Sequence, residues 1–202
     1  NGFYVFDVQT KKELIENLKL GLPGHHNLTN ALLAFAMAKS YGVDVEKIKS
    51  ALATFKGVRR RFSFQIREEK LVYIDDYAHH PTEINAVHQA VRELYPNKKI
   101  IACFQPHLFS RTKDFIDGFA ESLSQFDEIL LLEIYPAREL PMEGVNSSWL
   151  LSKIKNENKR LVTKEELLTN FKNSDANVFV TIGAGDIGEM VKDVKKVLNE
   201  KV

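Results

Sequence analysis

Two acids, a phenol and two imidazoles stand within six residues at Asp75-Asp76-Tyr77-Ala78-His79-His80, and Pro81, Thr82 and Glu83 follow directly. Such a set could hold a metal ion, form a catalytic dyad or grip a charged small molecule. A tetrahedral zinc site needs convergent ligands. His79 and His80 are neighbours whose side chains diverge, so a metal reading has to borrow partners such as His107 and leads to a metal hydrolase built on Asp75, Asp76, His79 and His107. A grip on an anion and a ribose uses the residue types more fully. A carboxylate such as Asp76 accepts two vicinal hydroxyls, while His79, His107 and Arg111 donate to a carboxylate or phosphate. Asp75 and His80 can alternatively serve as caps of the helix that begins near Pro81.

Three further stretches carry candidate chemistry. "VRRRF" places Arg59, Arg60 and Arg61 together, and a charge run of this kind is either a solvated face or, for Arg61, a reach toward a bound phosphate. "PGHHNLTN" puts His26, Asn27 and Asn30 at the start of a helix, where asparagines cap and where free amides can face a ligand. "GAGDIG" at 183–188 matches the glycine pattern of dinucleotide sites, but no room remains after it for the ribose-binding acid expected some 20 residues on, so it reads as a tight strand-to-helix turn. No "GK[ST]" occurs anywhere, which removes a P-loop from this chain.

These residues need elements to hold them. In the first sixty positions "FYVFDV" is strand-like and "KKELIENLKL" is ambiguous between helix and strand. "HNLTNALLAFAMAKSYG" is a helix apolar enough to be mostly buried, with Gly42 at its C-terminal end. Asp44 caps a second helix, "VEKIKSALATF". A boundary falls between Gly57 and Arg61. From Phe62 onward strands and helices alternate. "FSFQI" and "LVYIDD" form a hairpin across "REEK". There follow helix "TEINAVHQAVRELYP", strand "KKIIACF", helix "RTKDFIDGFAESLSQF", strand "EILLLEI", helix "SSWLLSKIKN", a weak strand "RLVT", helix "KEELLTNF", strand "NVFVTI" and helix "DIGEMVKDVKKVLNE". Short continuous apolar strands separated by helices predict a doubly wound α/β domain with a mostly parallel sheet. In such sheets ligands bind outside the carboxyl ends of the strands. The tips after Ile74, Phe104 and Ile134 carry His, Arg, Tyr and acids, whereas opposite tips such as "PNKK" are ordinary solvated turns.

Composition narrows the partners. At 202 residues and 44% hydrophobic the chain can bury a real core. Its 28 Lys and Arg nearly cancel 27 Asp and Glu, so there is no global basic field for nucleic acid or an anionic membrane. Cys103 is the single cysteine and lies in an apolar run, where it reads as a small buried hydrophobe. No apolar run reaches the roughly 20 residues that span a bilayer, and a cytoplasmic enzyme or enzyme fragment is the expectation.

"GHHNLTNALLA", "RRRF", "DDYAHHPTE", "FQPHLFSRT" and "GAGDIG" occur in the order and spacing of the Mur ligases, and the chain resembles that family over essentially all its length, most of all the members that add L-alanine to UDP-N-acetylmuramate. The resemblance implies three domains in the whole enzyme: a UDP-substrate domain, a central ATPase domain and a Rossmann-like C-terminal domain. Residues 1–58 then correspond to the end of the central domain and 59–202 to the C-terminal domain, with the N-terminal domains missing. It implies ATP and Mg²⁺ as cofactors, with most of their ligands outside this chain, and an acyl phosphate attacked by the amine of L-alanine. No covalent nucleophile and no catalytic residue of this chain is implied, and no metal ligand. Carried over position by position, His26, Asn27, Asn30, Arg61 and Asp76 would bind ATP, and Tyr77, His79, His107 and Arg111 would surround the amino acid. The chain departs from the pattern at Leu108, where many members carry a second arginine, so Arg111 or another donor has to do more of the carboxylate binding.

Overall fold

A computed structural model describes residues 4–201. Strands β1 (Tyr4–Gln9) and β2 (Leu14–Leu20) form an antiparallel hairpin with a register irregularity between Phe6 and Val8. The stretch that periodicity leaves undecided, "LIENLKL", is therefore a strand. Its Ile15, Leu18 and Leu20 turn inward onto helices α1 (His25–Ser40) and α2 (Val45–Thr54), where they pack with Val8, Ala31, Phe35, Ile48 and Leu52 in a core of their own. Asp44 caps α2 by accepting from the Glu46 and Lys47 amides. One expectation fails here. Helix α1 is apolar nearly all round, yet only Ala31 and Phe35 are buried, while Leu32, Leu33 and Met37 are 44%, 59% and 64% exposed. Among the described residues it is covered on one side only.

The larger part is a six-stranded sheet in the order β3-β4-β8-β5-β6-β7, formed by Ser63–Arg67, Val72–Asp76, Val178–Ile182, Ile100–Phe104, Glu128–Leu131 and Lys159–Leu161 respectively. The pair β3 and β4 is antiparallel, as the hairpin across "REEK" requires, and every other pairing is parallel. Every residue of β4, β8, β5 and β6 is buried, which explains why these strands read as continuous apolar runs. Helices α3 (Pro81–Leu94), α5 (Ile116–Leu123) and α6 (Ser147–Lys153) cover one face. Helices α7 (Lys164–Asn173) and α8 (Val191–Asn199) cover the other. This is the doubly wound, mostly parallel α/β arrangement. Its two apolar layers centre on Phe104, Phe119 and Ile182 on one side and Tyr73, Phe171 and Phe179 on the other.

Three predicted elements differ in extent. The helix expected over "RTKDFIDGFAESLSQF" starts earlier and splits into α4 (Phe109–Asp114) and α5, because Phe115 leaves helical geometry at φ −117 and ψ 24. The strand expected to run to Ile134 stops at Leu131, and the Leu132 carbonyl is taken by the Ser147 hydroxyl at 2.7 Å instead of by a neighbouring strand. The last helix begins as a 3-10 turn, Asp186–Glu189, before α8 starts.

Candidate functional site

The carboxyl ends of β4, β5 and β8 bring the quoted motifs to one edge. After β4, His80 caps α3 by accepting from the Thr82 amide at 3.3 Å, and Pro81 fills the first helical turn where no amide hydrogen is needed. His80 then turns away and packs edge-on against Phe115 at 4.5 Å, whereas His79 faces Tyr77 and His107. The two imidazoles diverge as neighbours must. Asp75 does not cap the helix. It is buried, pairs with Arg60 Nε at 3.0 Å and accepts from the Thr181 hydroxyl at 2.9 Å, and Thr181 contacts the Tyr73 hydroxyl at 3.0 Å. Burial pushes the Asp75 carboxyl above its usual range, and the Arg60 guanidinium pulls it back.

Asp76 is 5% exposed, and both of its oxygens hold the backbone: Oδ2 accepts from the Phe62 amide at 2.6 Å and Oδ1 from the Ala78 amide at 2.7 Å. Burial raises its carboxyl to about 6 despite these two bonds. Each oxygen keeps a lone pair, so the group can still accept from a ligand hydroxyl. Asp76 lies in the wall of a cleft of about 910 Å³ together with His26, Asn27, Asn30 and Arg61, so all five residues expected to hold the nucleotide line one space. Apolar residues of α1 and α2, among them Ala34, Ala38 and Ala51, continue that wall.

Local structure explains each placement. Gly24 precedes α1 at φ 92, and a Cβ there would strike the His26 ring at 2.8 Å, so the glycine allows the imidazole to fold back. Burial and then the nearby Arg61 push the His26 imidazole below its ordinary range, which keeps it neutral at pH 7. Asn27 does not cap α1. Its amide nitrogen donates to the Pro23 carbonyl at 2.7 Å, which leaves its side-chain oxygen unused by that bond. Arg61 is exposed and stands 3.7 Å from Glu83.

The four residues expected around the amino acid form a connected row beside the cleft. Tyr77 meets His79 at 5.5 Å between centroids, His79 meets His107 at 6.4 Å, and His107 stacks on Tyr135 at 5.7 Å. Arg111, in the first turn of α4 and four residues after His107, is 3.3 Å from His107 Nδ1. Burial, Arg111 and His79 together depress the His107 imidazole. The segment after β6 is stitched alongside: the Leu108 amide donates to the Tyr135 carbonyl at 3.0 Å, and Glu139 accepts from the Ser110 amide at 2.9 Å and from its hydroxyl. Leu108 sits at φ 74 as the residue before α4.

Sequence reasoning missed three members of this edge. Glu83 closes the quoted motif, accepts from the His79 amide at 2.8 Å and faces Arg61, joining the two halves of the site. Tyr135 stands at a tip already marked as rich in chemistry. Arg60 was indistinguishable from its neighbours within the arginine run. The glycine motif behaves as a tight turn: a Cβ on Gly183 would meet the Gln105 carbonyl at 2.8 Å, and one on Gly185 would meet Tyr135 Cβ at 2.7 Å. The close neighbours of these two glycines are thus Gln105 and Tyr135 of the adjoining strand tips. Asp186 in that turn accepts from Gln105 at 2.7 Å and pairs with Lys164 at 2.6 Å.

A metal hydrolase on Asp75, Asp76, His79 and His107 finds no geometric support. Asp75 is committed to Arg60, Asp76 to two amides, and among the described residues no three His, Cys, Asp or Glu side chains converge as ligands.

Comparison with known proteins matches this geometry. The sequence profile of the Mur ligase glutamate ligase domain matches residues 60–187. A UDP-N-acetylmuramate–L-alanine ligase of Flavobacterium psychrophilum is 72% identical over 201 residues, covering 100% of this chain and 45% of that protein. Its counterpart in Flavobacterium johnsoniae is 67% identical over 202 residues, again covering 100% and 45%. The crystal structure of a UDP-N-acetylmuramate–alanine ligase from Thermotoga maritima superimposes with a TM-score of 0.70 at 31% identity, over 91% of this chain and 39% of that one. The chain thus spans less than half the length of the relatives it matches. With the profile covering most of the chain, and the doubly wound sheet and its ordered strand-tip motifs in agreement, the chain belongs to the Mur ligase family.

Proposed function

We propose that this chain is the C-terminal part of an ATP-dependent ligase that joins L-alanine to UDP-N-acetylmuramate. Residues 1–58 complete a central ATP-binding domain, and 59–202 form the Rossmann-like domain that carries the amino-acid side of the site. The observation that carries the reading is the sorting of the motif residues. His26, Asn27, Asn30, Arg61 and Asp76 share one cleft, and Tyr77, His79, His107 and Arg111 form the adjoining row. The relatives' names supply the substrates. The exposed Leu32, Leu33 and Met37 on α1 suit a helix with neighbours in a larger protein.

ATP, when bound, supplies the activation of the muramate carboxylate. The cleft fits its nucleoside part: a neutral imidazole and two amides for a base, a carboxylate for ribose hydroxyls and an exposed guanidinium for phosphate. Mg²⁺ is the cofactor the family resemblance implies, with its ligands mainly outside this chain; among the described residues no three His, Cys, Asp or Glu side chains converge. On the other side Arg111 and the imidazoles of His79 and His107 offer donors to the amino acid's carboxylate. The depressed His107 stays uncharged at neutral pH and can accept as well as donate. The chain's contribution is position and charge compensation, with no covalent nucleophile required.

The test joins this chain to the N-terminal part of the Flavobacterium psychrophilum relative. Alanine-dependent ADP release is expected, and Asp76→Ala should lower kcat/KM about 10- to 100-fold, the loss of a charge-assisted ligand bond. Unchanged turnover in that variant would defeat the assignment.

A further inference from the structure

Arg60 has no part in either set of ligand-facing residues, yet its side chain is held at three points of the edge. Its Nε pairs with Asp75 at 3.0 Å, its Nη2 donates to the Gly183 carbonyl at 2.6 Å, and its guanidinium carbon lies 5.1 Å from the centre of the Tyr77 ring. One side chain thereby binds the tips of β4 and β8. The backbone is held as firmly. The Arg60 carbonyl accepts from the Tyr77 amide at 2.8 Å, and two residues on, the Phe62 amide donates to Asp76. Arg60 and Phe62 both adopt left-handed backbone angles, φ 58 and φ 46, a conformation that costs non-glycine residues about 1 kcal/mol each and persists only where surroundings impose it.

We propose that Arg60 is the positioning residue of the site: by locking the 58–62 turn onto two strand tips it sets Arg61 toward the nucleotide cleft and Tyr77 toward the amino-acid row at a fixed spacing. The turn alternates its side chains accordingly. Arg60 points in to Asp75, Arg61 out to the cleft and to Glu83, and Phe62 into the core at 3% exposure. Arg61 also lies over the Tyr77 ring, at 5.7 Å, so any shift of the turn is felt on both sides. Arg60 touches neither reactant and acts through Arg61 and Tyr77.

The inference rests on the proposed ligase function, and one experiment separates the two. In the joined ligase described above, Arg60→Met and Arg60→Lys are compared with wild type for the KM of ATP, the KM of L-alanine and Tm. Lysine keeps a charge beside Asp75 but cannot also fork to the Gly183 carbonyl. Arg60→Met should raise both KM values at least about tenfold, the scale of a small misplacement of binding groups. Arg60→Lys should recover Tm while both KM values stay raised. If Lys restores KM together with Tm, or if folded Arg60→Met leaves both KM values unchanged, the inference falls. Should Arg60→Met not fold, the Lys variant alone decides. If the wild-type joined ligase shows no alanine-dependent ADP release, the functional reading falls first and takes this inference with it.

Discussion

Gly188→Ala is the sharpest probe of the edge, because the glycine's backbone is ordinary and only the space beside it is special. Gly188 is absent from the glycines with left-handed angles, and a Cβ there would stand 2.5 Å from Arg60 Cζ and 3.0 Å from Nε. Reaching ordinary contact requires the guanidinium to retreat by about 1 Å. It cannot do so in place, being fixed at 3.0 Å to Asp75 and 2.6 Å to the Gly183 carbonyl, and both bonds break or lengthen out of range. The Asp75 side chain is 1% exposed, so its charge loses a partner without gaining water. Stranding a buried charge costs about 3 kcal/mol at the lower end of measured cases. For a chain of this size that is roughly 10 °C in Tm. Urea unfolding followed by circular dichroism at pH 7 measures it directly. Gly144→Ala is the control, since a Cβ there meets nothing within 4 Å and only its φ of 77 is strained, for about 1 kcal/mol. Repeating Gly188→Ala with Arg60→Met and Asp75→Asn already in place should cut its cost to near zero. A loss below about 0.5 kcal/mol in the otherwise wild-type chain would show that Arg60 is not pinned, and the reasoning would fail.

Asp76 gives the chain a stability term of unusual sign. Its folded carboxyl titrates at about 6 against an ordinary 3.8, so the charged form is the disfavoured one in the fold. The penalty is complete above pH 6 and is relieved as pH falls toward 4. The unfolding free energy of wild type relative to Asp76→Asn should therefore rise by about 2 kcal/mol between pH 7.5 and pH 4.5. A constant difference across that range would contradict the burial argument. In the core, Phe119→Ala removes a fully buried ring that packs on Phe104 and should cost about 3–5 kcal/mol in urea unfolding. Tyr41→Ala, at 88% exposure, should stay within about 0.5 kcal/mol.

The fold was legible where burial is two-sided. Strands β4, β5 and β8 announce themselves as apolar runs because helices cover both their faces. The tips were legible too, since Tyr77, His79, His107 and Arg111 serve no packing pattern. Periodicity failed where one residue breaks a ladder. "LIENLKL" holds Asn17 at φ 61, its amide on Asp7 at 2.8 Å, and the strand's alternation slips there. Phe115 splits a helix whose apolar spacing runs straight through it. Helix α1 looked buried because a helix apolar all round normally is, but burial depends on neighbours as well as on residue type. The arginine run shows the limit most clearly. Left-handed angles at Arg60 and Phe62 decide which guanidinium faces Asp75 and which faces the cleft, and no spacing rule encodes that choice.

The central claim is that one sheet edge divides into a nucleotide side and an amino-acid side, and steady-state kinetics of two variants in the joined ligase test it most directly. Arg61→Ala should raise the KM for ATP about tenfold or more with the KM for L-alanine moved far less, and Arg111→Ala should do the reverse. If each variant instead raises both constants equally, or leaves both unchanged, the division of the edge is wrong.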